Sequence, residues 1–330
     1  MSILARLDQV QSLQGRLTAL APIPTSIKIE TTTNCNHNCG YCSRNYHERK
    51  FGVMSKSFYL RVLDQLKEAG VKQVGPFFLG EPFTMKDLDW WVREAKRRGF
   101  FVFLTTNGTA PTPKLLDAVM QAGLDSLKFS CNYHDAEQFA QIARVNPKLF
   151  TRILTNIKSA RKIRDESGYD CELSASYIMY SGEQKEKMQD YMLEVEKYVD
   201  TTYANSFYSM SVEAEEIEKT TGYKPNVGNP GRLRYIDGEW RQIRDPVPCW
   251  SLWEGHIGMG QWDEEFKDYR YHLTACCFSS DGENFNMADL SGPNAVTFKE
   301  AWNSAKFQEL RQSHIDKQVR GTACESCIYP

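Results

Sequence analysis

The feature that most constrains the fold is a repeated alternation of short apolar runs with amphipathic helical stretches that stop at glycines. Residues 57–69 (SFYLRVLDQLKEA) carry apolar side chains at helical spacing and end at Gly70, and VKQVGPFFL after them reads as a buried strand. The order then repeats: a helix over 87–98 ending at Gly99, the strand FFVFLTT, a helix over 113–122 ending at Gly123, the strand DSLKFSC. Helical segments across 135–166, the strand CELSASYIM, a helix over 183–199 and a sixth strand near TTYANSFYSM continue it. Counting Ser26-Ile-Lys-Ile-Glu-Thr as the first strand, six successive β/α units imply parallel pairing. With a cysteine-bearing loop after the first strand, they predict an α/β fold built as a partial (β/α)6 TIM-like barrel, active at the C-terminal ends of its strands.

The alternation fails after about residue 205. The expected organisation is an N-terminal helix (roughly 4–19) within residues 1–24, the barrel over 25–210, an insertion or linker over 211–248, and a small C-terminal module over 249–330. The linker mixes an acidic piece, VEAEEIEK, with the Gly/Pro-rich GYKPNVGNPG. The last segment has little periodicity outside a helix near 298–313 and too little core to stand alone, so a metal staple is expected there.

Ten cysteines explain how such a staple is made. No apolar run approaches the roughly 20 residues of a membrane span. The N-terminus, MSILARLDQVQSLQGRL, lacks the apolar core of a secretory signal. A cytoplasmic location with no membrane partner is therefore expected, and there disulfides are rare and clustered cysteines point to metal. The net charge of −2 lacks the basic excess of proteins that track nucleic acid, so no nucleic-acid partner is expected.

The first group is Cys35-x3-Cys39-x2-Cys42. Three thiolates on one loop suit three corners of an iron–sulfur cube and leave the fourth iron open. By spacing alone a zinc site completed by His37 or His47 is the alternative. The second group is Cys249, the adjacent pair Cys276 and Cys277, and Cys324-x2-Cys327. Adjacent strand residues point to opposite faces, so one of Cys276 and Cys277 ligates while the other packs. Four thiolates suit a closed cube or a structural zinc. Cys131, at the end of the fourth strand, is either a buried small side chain or a hydrogen-atom donor to a carbon radical. Cys171, at the start of a strand, reads as core. Glu172, Asp281 and Glu283 are eligible bases, and Trp240, Trp250, Trp253 and Trp262 read mainly as packing for the last module.

These residues resemble the radical S-adenosylmethionine superfamily. The match runs past the cysteines: Tyr41 before the third cysteine, Leu79-Gly80-Glu81-Pro82 after the second strand, Thr105-Thr106-Asn107-Gly108 after the third and Ser130-Cys131-Asn132 after the fourth. The resemblance implies a [4Fe–4S] cluster on Cys35, Cys39 and Cys42 that binds S-adenosyl-L-methionine. It implies cofactor contacts from Tyr41, Gly80, Glu81, Pro82, Asn107, Ser130, Asn132, Arg144, Ser174 and Ser176, with Glu81 receiving the methionine amine and Arg144 its carboxylate.

The C-terminal segment resembles the SPASM or twitch extensions of the same superfamily. It has the Pro248-Cys249-Trp250 start, the cysteine pair on a return strand, Ala301-Trp302-Asn303-Ser304 and the closing C-x2-C. That implies one auxiliary [4Fe–4S] cluster on Cys249, Cys276, Cys324 and Cys327. The full pattern serves two clusters, and its usual glycine is Tyr271 here. The activity implied is cleavage of S-adenosylmethionine and abstraction of a hydrogen atom, fed by reduced flavodoxin or ferredoxin. The expected substrate is a sugar, cyclitol or aminoglycoside-like molecule undergoing dehydrogenation or epimerisation. A peptide substrate is the alternative, disfavoured by the mere 25 or so residues before the first strand, and a non-catalytic zinc or electron-transfer protein is the reading from another class.

Overall fold

The computed structural model describes residues 2–46, 50–180, 182–206, 218–219, 233–236, 239–242, 247–277 and 284–325. Helix α1 (Ile3–Gln11) precedes β1 (Ser26–Ile29), and then helices and strands alternate. They are α2 (Lys56–Ala69), β2 (Gln73–Gly75), α3 (Leu88–Arg97), β3 (Phe101–Thr106), α4 (Pro113–Gln121) and β4 (Ser126–Cys131). There follow α5 (Ala136–Ala143), α6 (Phe150–Ser167), β5 (Glu172–Met179), α7 (Glu183–Val195) and β6 (Thr201–Ser206). Strands β1 to β6 pair in sequence order and all in parallel, as the β/α pattern predicts. A backbone hairpin of β7 (Leu233–Ile236) and β8 (Glu239–Gln242) forms its own two-stranded sheet.

Alternation along each strand sorts the side chains. Ile27, Ile29, Val74, Val102, Leu104, Leu127, Phe129, Leu173 and Ala175 are buried in the apolar layer beneath the helices. The opposite face carries Lys28, Gln73, Phe101, Phe103, Ser126, Lys128, Glu172, Ser174 and Ser176, and so the interior of the barrel is polar. Its lower end is closed by α1. The Arg6 guanidinium stacks over Phe101 and Phe103 (4.7 and 4.2 Å to the ring centres) and donates to Gln73 Oε1 at 3.1 Å, while Ile3 N donates to Glu172 Oε1 at 2.8 Å.

The C-terminal segment joins the same sheet. Strand β9 (His256–Asp263) pairs in parallel with the free edge of β1, then β10 (Asp268–Thr274) and β11 (Asn286–Asp289) follow antiparallel. The nine-stranded order is β11-β10-β9-β1-β2-β3-β4-β5-β6. The expected helix near 298–313 is two helices, α8 (Phe298–Trp302) and α9 (Ala305–Ile315), because Asn303 leaves helical geometry and Ser304 starts a new N-terminus. The expected N-terminal helix to residue 19 stops at Gln11. Beyond it the chain becomes a strap held by the C-terminal segment: Arg16 donates to Trp253 O, Trp253 Nε1 to Thr18 O, and Trp302 Nε1 to Pro22 O. The second strand, expected over 71–79, ends at Gly75 because Pro76 brings no N–H to continue the ladder.

Arg311 locks these parts together. It is fully buried, lies over the rings of Trp302 and Phe307, and donates to Leu252 O, Ala19 O, Trp302 O and Asn303 Oδ1. A rigid planar fork reaches several carbonyls that a point-like ammonium cannot. Arg311→Met is expected to destabilise the chain by about 3 kcal/mol, and Arg311→Lys by nearly as much. Denaturant unfolding followed by tryptophan fluorescence checks this; a lysine variant with the wild-type midpoint contradicts the account.

Candidate active site

The site begins where β1 ends. Thr31 Oγ1 donates to Pro76 O and Thr32 Oγ1 to Gly52 O, which steers the chain across the barrel mouth. The cysteine loop then leans on α5: Asn38 N donates to Ala143 O and Gly40 N to Ile142 O, both at 2.9 Å. Backbone carbonyls at the end of a helix lack partners within it, so the loop satisfies what the helix leaves open.

The segment after β2 meets the loop with little room. A Cβ on Gly80 would lie 2.1 Å from Thr32 O and 2.9 Å from Asn34 O, so only glycine fits there. Glu81 N donates to Asn34 O at 2.8 Å. The Glu81 carboxylate is buried and accepts three hydrogen bonds, from Phe83 N (3.1 Å), Thr106 Oγ1 (2.8 Å) and Asn107 N (2.6 Å). Burial pushes its pKa up to about 7, against the pull of those donors. The side chain thus welds the end of β3 to the segment after β2.

Asn107 carries the connection on. Its Nδ2 donates to Asn36 Oδ1 at 2.7 Å and lies 3.9 Å from Cys35 Sγ, and its Oδ1 accepts from Thr109 N and Thr109 Oγ1. Thr109 also receives Asn36 Nδ2 at 2.8 Å and lies 2.7 Å from His37 Nε2. The His37 ring packs edge-on against Phe139, and burial together with the nearby Arg44 lowers its pKa to about 4. His37 is therefore a neutral anchor of the loop. His47, the other imidazole weighed for zinc, lies outside the described residues.

Three thiols on one loop are the donor type that an iron–sulfur cube with one open corner takes. Cys35 and Cys39 are pushed up to about 11 and about 12, by burial first and then by neighbouring groups that include the other thiols of the loop. Three mutually repelling thiolates call for a cationic centre, and bound metal reverses the shift. Tyr133 OH lies 3.1 Å from Cys39 Sγ, and Asn132 Nδ2 donates to Tyr41 OH at 2.8 Å. Tyr41 is buried against the core, so the aromatic before the third cysteine braces the loop.

The other expected cofactor contacts separate by strand face. Ser130, Ser174 and Ser176 share the inner face of β4 and β5, and Ser174 Oγ is buried with no partner among the described residues. Arg144 is exposed, in the left-handed conformation (φ 55°), directly after the carbonyl that receives Asn38 N. Pro82 opens the short turn that follows Glu81. Cys131 is on the wrong face for a hydrogen-atom donor. It alternates with Leu127 and Phe129 into the helix layer, fully buried, and burial raises its thiol to about 12. Of the two readings weighed for it, core side chain or hydrogen-atom donor, this placement favours the core.

In the C-terminal segment Cys249, Cys276, Cys277 and Cys324 are described, and Cys327 is not. Burial raises the Cys277 thiol, with Cys276 and Cys249 adding to the shift, so three of these sulfurs are neighbours. Cys277 N donates to Ser251 Oγ and Cys249 N to His314 Nδ1. Sequence reasoning did not single out Thr109, Tyr133, Ser251 or His256. Each belongs to a contact between segments far apart in the chain, which local spacing does not encode.

The family model for the radical SAM superfamily matches residues 29–195. The tungsten-containing aldehyde ferredoxin oxidoreductase cofactor-modifying protein of Pyrococcus furiosus is 29% identical over 141 residues, covering 42% of this chain and 39% of that one. The PqqA peptide cyclase of Granulibacter bethesdensis is 28% identical over 161 residues, covering 48% and 40%. The matched region thus spans about two fifths of these relatives' length. In three dimensions the chain is similar to BtrN in complex with AdoMet and 2-DOIA, with a TM-score of 0.52 and 15% identity over 93% of this chain and 92% of that one, a likeness of fold. Since the model covers half the chain, cysteine loop included, this protein belongs to the radical SAM superfamily, whose members use a [4Fe–4S] cluster and S-adenosylmethionine.

Proposed function

We propose that this enzyme uses S-adenosylmethionine to abstract a hydrogen atom from a compact polar molecule, such as a sugar, cyclitol or aminoglycoside-like compound, in a dehydrogenation or epimerisation. The observation that carries the reading is the polar interior directly below the cysteine loop, closed underneath by α1 and Arg6. Held by Cys35, Cys39 and Cys42, a [4Fe–4S] cluster would supply the electron for reductive cleavage of S-adenosylmethionine.

The chain's own residues do the rest. Cys35, Cys39 and Cys42 hold the cluster on a loop that α5 braces. The Gly80-Glu81-Pro82 backbone receives the methionine amine, while the Glu81 carboxylate fixes Asn107 beside it. Arg144 reads the methionine carboxylate. Ser130, Ser174 and Ser176, with Tyr41 and Asn132 near them, line the inner wall of β4 and β5. Cys249, Cys276, Cys324 and Cys327 hold one auxiliary [4Fe–4S] cluster. A reduced flavodoxin or ferredoxin is the electron donor. Among the described residues no cysteine is in a disulfide, which suits a reducing, cytoplasmic setting. No helix among the described residues is long and apolar enough to cross a membrane. A peptide substrate is the second reading, favoured by the likeness to the PqqA peptide cyclase.

Anaerobic reconstitution is expected to load about eight irons per chain, by two cubes. The sample should absorb in the visible and release 5′-deoxyadenosine with dithionite. Stoichiometric zinc with no 5′-deoxyadenosine sinks the proposal. Replacing Cys276 with Ala should remove about four irons, whereas Cys277→Ala should keep them; the reverse pattern exchanges the two roles. Glu81→Gln puts an amide where three donors converge. It should cut 5′-deoxyadenosine release more than about tenfold, by the loss of charge-assisted bonds, with iron content unchanged. Release at the wild-type rate refutes the welding role.

A further inference from the structure

Strand β9 brings a buried polar cluster to the inner face of the barrel. His256 stands in register with Lys28 of β1, and Lys28 in turn with Gly75 of β2. Residues in register on parallel strands project to one side, and this is the side of Gln73 and of Phe103, which packs against Phe77 and Arg6. The imidazole is fully buried and stacks on Phe78 with ring centres 5.0 Å apart, two residues before Gly80. Glu254 lies two residues earlier, also buried, with its Oε1 3.5 Å from Lys28 Nζ. Gly255 between them has φ +67°, and a Cβ there would lie 2.5 Å from Trp302, so the corner that presents both side chains requires glycine. The next inward position on β9 is Gly258, paired with His272 of β10.

The hydrogen bonds fix the tautomer of His256. Ser251 Oγ gives its proton to Ala275 O (3.0 Å) and receives Cys277 N (3.0 Å). It meets His256 Nε2 at 3.4 Å, and with its own proton committed it accepts there, so Nε2 carries the imidazole proton. Nδ1 is then a bare acceptor, and it is buried with no donor among the described residues. Glu254 Oε2 is a second buried acceptor with no donor among the described residues. Burial lowers the pKa of His256 well below its ordinary value, which keeps it neutral. Buried polar atoms are almost always paired, so two acceptors beside one lysine call for a ligand that brings donors.

We propose that Glu254 and His256 are specificity-determining residues that receive amino or hydroxyl hydrogens of the substrate at the β1–β9 seam. The substrate class is thereby an amine- or polyol-bearing small molecule. This rests on the functional reading above, and Phe78, which stacks on His256, is two residues before the Gly80 segment.

The test uses the reconstituted holoenzyme with S-adenosylmethionine and three probes: glucosamine, 2-deoxystreptamine and myo-inositol. At least one should bind by titration calorimetry. His256→Gln keeps an amide near Nε2, where Ser251 sits, and should weaken that binding by about tenfold. His256→Asn keeps a polar atom near Nδ1 and should stay within about threefold. Iron content and melting temperature report whether each variant folds. Crystals of the wild-type complex should place a donor of the probe within hydrogen-bond distance of His256 Nδ1. No binding of any probe, equal losses in both variants, undiminished binding by the Gln variant, or water alone at Nδ1 overturns the assignment. Release of 5′-deoxyadenosine by the wild type is scored separately. Its presence with any of those results sinks only the seam, and its absence sinks the functional reading itself.

Discussion

A single buried carboxylate decides whether the site has a shape. Three donors from two separate segments converge on Glu81, at 2.6, 2.8 and 3.1 Å, and such bonds strengthen when the carboxyl ionises. From there the connection passes through Asn107 to Asn36 and so to the cysteine loop. Without it, burial of that charge would be unfavourable by several kcal/mol, and the ends of β2 and β3 would lose their common register with the loop. The close approach at Gly80 belongs to the same device, because any larger residue would hold the segment away from the backbone it must touch.

Much of this was legible in the sequence because it is local. The helix periodicities, the glycine stops and the parallel order of β1 to β6 follow from patterns within twenty or so residues. The cysteine spacing and the Gly80-Glu81-Pro82 segment are likewise contiguous. The misses have several causes. α1 ends early because residues near 253 and 302 capture the chain after it. β2 is cut short by Pro76, a local signal outweighed by the apolar run around it. For Cys131, weighed as core or hydrogen-atom donor, alternation with Phe129 sends it into the helix layer. The pairing of β9 with β1 joins residues more than 220 positions apart, and no periodicity announces it.

The C-terminal segment is therefore more than an appendage that carries cysteines. Its hairpin continues the barrel sheet, its tryptophans hold the N-terminal strap, and Arg311 gathers carbonyls from three regions. Stability in such an arrangement is shared, so damage to the second cysteine group reaches the barrel through β9.

The same pairing has a consequence for synthesis. A ribosome delivers β1 long before β9, and until then the outer edge of β1 has open backbone donors and acceptors. Open strand edges recruit other chains. Non-local parallel pairing is also slow to form. The nascent protein thus passes through a stage in which its cysteine loop is already made but its sheet is unfinished. A chain truncated before residue 256 would keep the first three cysteines and expose a sticky edge, and it would leave the cell's quality control an aggregate rather than a half-enzyme.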